Sequence, residues 1–274
     1  MGYHVFFNAI TDYDVKVAME YTFYNYLCRV LPTPPHVDEI IKGDNFSADL
    51  AISIGGDGTF LRTAQWVGRK NIPIMGINTG HLGYLADVQI SESETILDDL
   101  TAGNYKIEER SLIEISSSNE ILDKWPFALN EVAILKQDTA SMISIKTEIN
   151  DVELNTYLGD GLIISTPTGS TGYNLSVGGP IIEPTAPNWV ISPIAAHSLT
   201  MRPLVVSDES IIKITTSSRA TNYRLSLDGR SITLPEGSSI SLRKAPFVIN
   251  VVQRLDHHFT DTLRNKLLWG IDKR

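Results

Sequence analysis

A short apolar run followed by a glycine-rich turn constrains the fold of this chain more than any other stretch. Residues 50–54 are mostly apolar, which is typical of a buried strand, and Gly55-Gly56-Asp57-Gly58 follows directly. Residues 60–67 then show helical spacing up to Gly68. The stretch therefore predicts a strand, a glycine turn and a helix start, an arrangement that offers backbone N–H groups to a phosphate.

The carboxylate of Asp57 is the unexpected part of this turn. At the rim of a phosphate cradle it would repel the ligand unless it accepts a proton or holds a cation. The alternative is an Asp-Gly hairpin turn, but the helical pattern that follows favours the cradle. The turn has neither the spacing of a P-loop nor that of a dinucleotide fingerprint, so neither mechanism is implied.

The composition limits the classes of partner. A net charge of -9 and a pI near 5.1 argue against nucleic acid or an anionic membrane surface as the main partner. The single cysteine, Cys28, excludes an internal disulfide and suits a reducing compartment. No apolar stretch approaches the roughly 20 residues of a membrane span, and the first residues do not resemble a signal peptide. We expect a soluble cytoplasmic protein with neither nucleic acid nor membrane partners.

The first hundred residues alternate between strand and helix patterns. The predicted elements are a strand at 3–9, a helix at 14–31 ended by prolines, a strand at 72–77, and a helix opened by a capping box at 91–94 that stops at Gly103. Such alternation predicts a mainly parallel sheet, with ligands at the carboxyl ends of its strands.

The pattern changes after Gly103. Short alternating runs separated by turn residues follow at 107–116, 127–135, 142–149, 211–216, 223–227 and 248–252. We therefore predict an α/β domain over 1–104, with a Rossmann-like or phosphofructokinase-like sheet, and an all-β domain over 105–254. Residues 261–269 predict a closing helix, so that 255–274 would pack back on the first domain.

Two polar passages stand out in the second half. An apolar strand runs into residues 165–180, rich in Gly, Ser, Thr and Pro, which form either a mobile linker or a rigid loop that offers hydroxyls and N–H groups to a sugar or phosphate. Asn130-Glu131 lies between apolar runs and needs partners from the protein or from a ligand. A turn or a strand-edge pair is the other interpretation of Asn130-Glu131.

The order of these motifs resembles a known family. The Gly-Gly-Asp-Gly-Thr loop is similar to one shared by NAD kinases, diacylglycerol and sphingosine kinases and, more loosely, phosphofructokinases. Followed by the Asn-Thr-Gly-His-Leu-Gly-Tyr segment at 78–84, by Asn130-Glu131 and by the Asp-Gly-Leu-Ile-Ile-Ser-Thr-Pro-Thr-Gly-Ser-Thr segment at 160–171, it closely resembles the NAD kinase family over residues 50 to 245. The lipid kinases are similar in the first motif only.

The resemblance implies roles for individual residues. Asp57 would be the catalytic base, Asn130 and Glu131 would hold the adenine side of the dinucleotide, and Asp160 would bind the other nucleoside. The remaining residues that it assigns to substrate or cofactor binding are Gly58, Arg62, Tyr84, Ser141, Thr168, Thr171, Gly172, Tyr173, Asn174, Leu175, Ser176, Ala195 and Arg230. One departure is Gly172, where the family usually has alanine, and it affects substrate packing and loop stiffness.

The implied reaction is ATP-dependent phosphorylation of the 2′-hydroxyl of the adenosine ribose of NAD, giving NADP. The resemblance also implies ATP as donor, a divalent cation such as Mg²⁺, and a homodimer or homotetramer. Because Asp57 lies in the first predicted domain and Asn130 and Asp160 lie in the second, we expect the site between the two domains. A lipid kinase would need an apolar groove, which the polar residues 165–176 disfavour. A sensing module without turnover is disfavoured by Asp57. His257 and His258 predict no metal site, since neighbours in a strand point to opposite faces.

Overall fold

Two compact units make up the chain in this computed structural model, which describes residues 2–80, 83–117, 124–137 and 141–267. One unit comprises Met1–Glu108 and Asn250–Arg274, and the other comprises Glu109–Ile249. Each unit has its own hydrophobic core. The predicted fold class, an α/β N-terminal part followed by a β-rich part, is confirmed.

The first unit is built around a small parallel sheet. Its elements up to the start of the second unit are α1 (Gly2–Ala9), β1 (Ala18–Glu20), α2 (Tyr21–Val30), β2 (Glu39–Ile41), β3 (Ala51–Ile54), α3 (Asp57–Val67), β4 (Ile74–Asn78), β5 (Val88–Gln89) and α4 (Ser93–Ala102). Strand β4 pairs in parallel with β3 and β5, and all five of its residues are buried. The predicted strand, glycine turn and helix at β3–α3 are therefore present.

The N-terminal segment differs from its prediction. Residues 3–9 lie in helix α1 and not in a strand. Tyr3, Phe6, Phe7 and Ile10 have helical spacing and all pack into the core of this unit. A short apolar run cannot be assigned to helix or strand by periodicity alone, which is why the strand prediction was wrong.

The predicted helix at 14–31 is divided. Residues Ala18–Glu20 form β1, which pairs in parallel with β2, and helix α2 begins only at Tyr21. The Glu20 carboxylate accepts the backbone N–H groups of Thr22 (2.8 Å) and Phe23 (2.7 Å), so it caps the helix at this point. The C-terminal limit was predicted correctly, since α2 ends at Val30 before the prolines.

The start of helix α4 is also shifted. The capping box is formed by Gln89 and Glu92, two residues before the predicted pair, and it opens a 3₁₀ turn that leads into α4. Gly103 ends α4 with a positive φ of 74°, as predicted.

Two antiparallel sheets form the second unit. Its elements are β6 (Tyr105–Ser117), β7 (Phe127–Ala128), β8 (Glu131–Lys136), β9 (Ile143–Ile149), β10 (Val152–Gly159), β11 (Gly161–Ser165), α5 (Tyr173–Ser176), β12 (Asn188–Ile194), β13 (Leu204–Ser207), β14 (Ile212–Ser217), β15 (Asn222–Leu227), β16 (Arg230–Pro235) and β17 (Ser239–Arg254). One sheet has the order β13-β12-β11-β8-β15-β16, and the antiparallel strands β10-β9-β14-β17 belong to a nine-stranded sheet that also contains β3, β4, β5, β6 and β7. Strands β10, β12, β13 and β16 were not among the predicted runs.

The described residues after Ile249 belong to the first unit. Val251 of β17 pairs in parallel with Ile74 of β4, and helix α6 (Phe259–Leu267) follows. The predicted helix at 261–269 agrees with α6, except that 268 and 269 lie outside the described residues. No helix in the described part of the chain is both long and apolar enough to cross a membrane.

Candidate active site

The Asp57 carboxylate fixes the loop that follows β4. Asp57 is the first residue of α3, and its Oδ2 accepts the backbone N–H of Tyr84 (2.8 Å). Its Oδ1 accepts those of Leu85 (3.0 Å) and Ala86 (3.1 Å). A carboxylate that accepts three successive N–H groups orders the segment that donates them. Asp57 therefore does not belong to a hairpin turn.

Space for this carboxylate depends on Gly83. A Cβ atom added at Gly83 would lie 1.9 Å from Asp57 Oδ1, which no side chain can tolerate. Added Cβ atoms at Gly56 and Gly58 would meet nothing within 4 Å, so the start of α3 is open. Open space at a helix start, lined by backbone N–H groups, suits an anionic ligand.

Arg62 and Tyr84 lie near this helix start. Arg62, one turn into α3, is exposed, and its Nη2 donates to Thr59 Oγ1 at 3.1 Å. The Tyr84 hydroxyl is buried without a hydrogen-bond partner among the described residues. Burial, and secondarily the Asp57 carboxylate, raises the pKa of Tyr84. In the first unit the structure thus brings together Asp57, Gly58, Arg62 and Tyr84.

A second aspartate performs the same task in the other unit. The Asp228 carboxylate accepts the backbone N–H groups of Leu129 (2.7 Å), Asn130 (2.8 Å) and Glu131 (3.1 Å). Asp228 and Gly229 form the turn between β15 and β16, with φ angles of 49° and 81°. This role of Asp228 cannot be read from the sequence, because an Asp-Gly pair between alternating runs predicts only a hairpin.

Asn130 and Glu131 lie where β7 gives way to β8. Asn130 Oδ1 and Glu131 Oε2 are buried and have no hydrogen-bond partner among the described residues. Burial, and then the Asp228 carboxylate, raises the pKa of Glu131 to about 7, against the effect of the Tyr173 backbone N–H. Since buried polar atoms are normally satisfied, these two acceptors call for a ligand with donor groups.

The predicted substrate loop covers this pair. A methyl group added at Gly172 would lie 3.3 Å from Glu131 Oε2 and 3.6 Å from Asn130 Nδ2. Gly172 thus leaves room directly beside both side chains. A methyl there would be tight against Glu131 and would also meet the Gly169 carbonyl oxygen at 3.2 Å.

Residues 166–176 are a rigid loop and not a linker. Thr166 Oγ1 donates to the Leu129 carbonyl at 2.5 Å and accepts the Gly169 N–H at 3.1 Å. Asn174 is fully buried: its Nδ2 donates to the carbonyls of Ser170 and Pro180, and its Oδ1 accepts from Ser192 Oγ at 2.6 Å. Its amide therefore holds the loop together and is not free for a ligand.

The other predicted residues of this loop differ in exposure. Thr168 is buried, and Arg110 Nη1 donates to its hydroxyl at 3.5 Å. Thr171, Gly172 and Leu175 are partly exposed, while Tyr173 and Ser176 are exposed. These five can reach a ligand, in contrast to Asn174.

Asp160 and Ala195 form a separate group. Asp160 Oδ1 lies 2.6 Å from Lys136 Nζ, just before β11, and Ala195 follows β12 with a φ of 45°. Gly161 pairs with Leu135 at this end of β11, whereas Ser165 pairs with Glu131 at the other. A five-residue strand, roughly 16 Å long, therefore separates Asp160 from the Asn130-Glu131 pair.

The two remaining predicted site residues are Arg230 and Ser141. The Arg230 guanidinium donates to the carbonyls of Trp125 (3.0 Å) and Phe127 (2.7 Å). Ser141 lies shortly before β9, and no hydrogen bond between described residues connects it to another predicted site residue.

The described residues contain no group of three or more His, Cys, Asp or Glu side chains that could hold a metal ion. His257 and His258 lie in the loop before α6 and not in a strand, so the strand assumed for them was wrong. His257 Nδ1 lies 2.9 Å from Asp87 Oδ2. We therefore derive no step of a reaction from a metal held by protein ligands.

A helix start open to an anion, together with a rigid loop rich in hydroxyls beside unsatisfied acceptors, defines a nucleotide-binding protein. Two family models match the chain: the ATP-NAD kinase N-terminal domain over residues 5–105 and the ATP-NAD kinase C-terminal domain over residues 129–254. The chain belongs to the NAD kinase family, and it is a kinase that phosphorylates NAD with ATP.

Individual relatives agree with this assignment. An NAD kinase of Bacteroides fragilis is 46% identical over 268 residues, covering 98% of this chain and 92% of the relative. A solved NAD kinase of Archaeoglobus fulgidus in complex with ATP has a TM-score of 0.72 and 28% identity, covering 93% of this chain and 98% of that one. A yeast NADH kinase with NADH shares the fold, with a TM-score of 0.88 at 22% identity, covering 100% and 84%. Nothing in these comparisons favours a lipid kinase or a sensing module.

Gly83→Ala tests the arrangement around Asp57. The added methyl must displace the carboxylate, so we expect the free energy of unfolding to fall by about 1–3 kcal/mol, as for other overpacked sites, and turnover to fall with it. Gly80→Ala, where an added Cβ meets nothing within 4 Å, is the matched control. Urea denaturation and steady-state kinetics measure both, and equal behaviour of the two variants would contradict the account.

Glu131→Gln tests the burial of that carboxyl. Its pKa rises from 4.5 to about 7 on folding, so the folded protein holds an extra proton in this range and loses stability as pH rises from about 4.5 through 7. Glu131→Gln removes this loss, so the variant should gain stability relative to the parent between pH 5 and pH 8. Urea denaturation at both pH values measures the gain. The exposed Glu153→Gln is the control, and a gain of the same size there would refute the assignment.

Proposed function

We propose that the chain moves the terminal phosphoryl group of ATP to the 2′-hydroxyl of the adenosine ribose of NAD, with Asp57 as the proton acceptor. The observation that carries the substrate side is the pair of buried acceptors, Asn130 Oδ1 and Glu131 Oε2, which have no partner among the described residues. The adenine amino group and the ribose hydroxyls of NAD are donors that would satisfy them.

Asp57 combines two roles in this proposal. A carboxylate has about four lone-pair sites, and three are used by the loop N–H groups, two on Oδ1 and one on Oδ2. The remaining site on Oδ2 accepts the proton of the ribose hydroxyl as the bond to phosphorus forms. The three N–H groups hold the carboxylate in one orientation, which keeps this site aimed at the substrate.

The rest of the catalytic effect comes from positioning and charge neutralisation. Gly58 and the start of α3 receive phosphate oxygens of the donor, and Arg62 adds a positive charge near them. A divalent cation such as Mg²⁺ would supply further charge neutralisation if it were bound through the phosphates of ATP, the way in which this ion commonly binds with few protein ligands.

The substrate loop and the second nucleoside site complete the proposal. Thr168, Thr171, Gly172, Tyr173, Leu175 and Ser176 surround the adenosine side of NAD, and Asn174 keeps their loop in shape. Asp160 and Ala195 bind the other nucleoside; the strand length between them and Asn130 supports this, because a dinucleotide is itself an extended ligand. Arg230 and Ser141 complete the binding set.

We assign nucleotide binding to residues 1–104 with 255–274, and NAD binding to residues 105–254. The protein works in the cytoplasm, as its single cysteine suggests, and as a homodimer or homotetramer, as the family implies.

Incubation of the purified protein with ATP, Mg²⁺ and NAD, followed by assay with an NADP-specific dehydrogenase, tests the reaction. Consumption of ATP without NADP would overturn it.

Asp57→Asn tests the proton acceptor. The amide cannot take the proton, so turnover should fall roughly 10²- to 10⁴-fold, the range of general acid-base catalysis, while NAD binding measured by calorimetry survives. An exposed residue, Asp49→Asn, is the matched control. Turnover near that of the parent would refute the role.

The same variant also affects the loop, because the new amide would present a donor to one of the three N–H groups. Gly83→Ala disturbs the loop without removing the carboxylate and therefore separates the two effects. We expect Asp57→Asn to lose far more turnover than Gly83→Ala at a comparable loss of stability.

Asn130→Ala tests the binding role of the pair. Loss of a buried hydrogen bond to NAD affects ground and transition states alike, so KM for NAD should rise about 5- to 100-fold while kcat changes little. Asn222→Ala, at the start of β15, is the control in the same unit. An unchanged KM for NAD in Asn130→Ala would exclude the role.

A further inference from the structure

A lysine outside both matched family segments lies beside the loop that Asp57 holds. Lys266 is near the end of α6, and its Nζ lies 4.2 Å from the centre of the Tyr84 ring. This Nζ is buried and has no hydrogen-bond partner among the described residues, and the same is true of the Tyr84 hydroxyl. The ammonium group therefore lies over the Tyr84 ring in a cation–π contact, while neither it nor the Tyr84 hydroxyl has a hydrogen-bond partner among the described residues.

Two carboxylates lie near Lys266, but neither accepts a hydrogen bond from its ammonium group. Asp57, from α3, and Asp87, before β5, are its carboxylate neighbours, and both favour the charged ammonium. However, Asp57 already accepts three backbone N–H groups, and Asp87 pairs with His257. Burial outweighs both carboxylates and lowers the pKa of Lys266 to about 8. A buried ammonium that makes no hydrogen bond is costly, so an acceptor oxygen supplied by a ligand would stabilise it.

We propose that the ammonium group of Lys266 binds a phosphate oxygen of the nucleotide that occupies the open start of α3. This inference rests on the proposed function and adds a residue to it. A lysine acts as a mobile point charge with three donors, which suits a phosphate chain whose oxygens shift during transfer. Binding of a phosphate oxygen would give the ammonium group the hydrogen-bond acceptor that it lacks among the described residues.

Lys266→Met, which keeps the length and the apolar stem, tests the proposal. We expect the dissociation constant for ATP, measured by calorimetry without NAD, to rise about 10- to 100-fold, as for loss of a charged hydrogen bond. Arg264→Met removes a positive charge from the same helix at an exposed site and should stay within about twofold of the parent. Lys266→Arg should restore part of the affinity.

Stability separates a binding role from a structural one. Because Lys266→Met replaces an unsatisfied buried charge with an apolar group, its thermal midpoint should equal or exceed that of the parent. A lower midpoint together with an equal loss of ATP and NAD affinity would show that Lys266 only supports the fold, and would overturn the proposal.

The pH dependence gives an independent readout. In the parent, ATP affinity should weaken between pH 7 and pH 9 as Lys266 loses its proton, whereas Lys266→Met should be flat in this range. Among the residues that the structure describes, the titratable groups near Lys266 are Asp57, Asp87 and Tyr84, with His257 on Asp87, and all remain in the variant. Equal pH profiles, or equal ATP affinities, in parent and Lys266→Met would overturn the proposal. Failure of the parent to make NADP while these ATP effects persist would instead count against the proposed reaction alone.

Discussion

The hydrogen bonds from three successive backbone N–H groups to the Asp57 carboxylate are the interaction on which the first unit's site depends. They join the start of α3 to residues 84–86 in the loop after β4. These two segments lie outside the strand pairs, so the carboxylate is what holds them together. Backbone donors cannot be varied by substitution of their side chains, which makes such a contact robust. The cost is a strict demand for glycine at position 83, since any side chain there collides with the carboxylate.

In the second unit, the Asp228 carboxylate orders a backbone segment in the same way. Its carboxylate holds the backbone of residues 129–131, and the side chains of Asn130 and Glu131 then face the rigid loop at Gly172. In both units a carboxylate orders a backbone segment while neighbouring polar atoms stay unsatisfied. Ordered but unsatisfied polar groups are typical of a preorganised binding site, because the ligand supplies the missing partners without rearranging the protein.

Local sequence patterns predicted the elements that carry the site. The strand β3, the glycine turn and α3 follow from apolar runs and glycines within a few residues of one another, and they were predicted correctly. Helix α1 was taken for a strand because its burial depends on partners such as Phe23 that lie elsewhere in the chain. The Asp228 contact joins residues 97 to 99 positions apart, and no local pattern reveals it. Asn174 lies in a predicted binding loop, but only the structure shows that its side-chain amide makes its hydrogen bonds within the protein.

The central claim is that Asp57 holds its loop and accepts the ribose proton at the same time. A crystal structure of the protein with NAD and a non-hydrolysable ATP analogue measures this directly, as the distance from Asp57 Oδ2 to the 2′-oxygen of the adenosine ribose. We expect a separation within hydrogen-bond reach, about 2.6–3.2 Å, with the N–H groups of Tyr84, Leu85 and Ala86 still bound to the carboxylate. A 2′-oxygen beyond the reach of Asp57, even through one water molecule, or a carboxylate that has left its loop to meet the substrate, would contradict it.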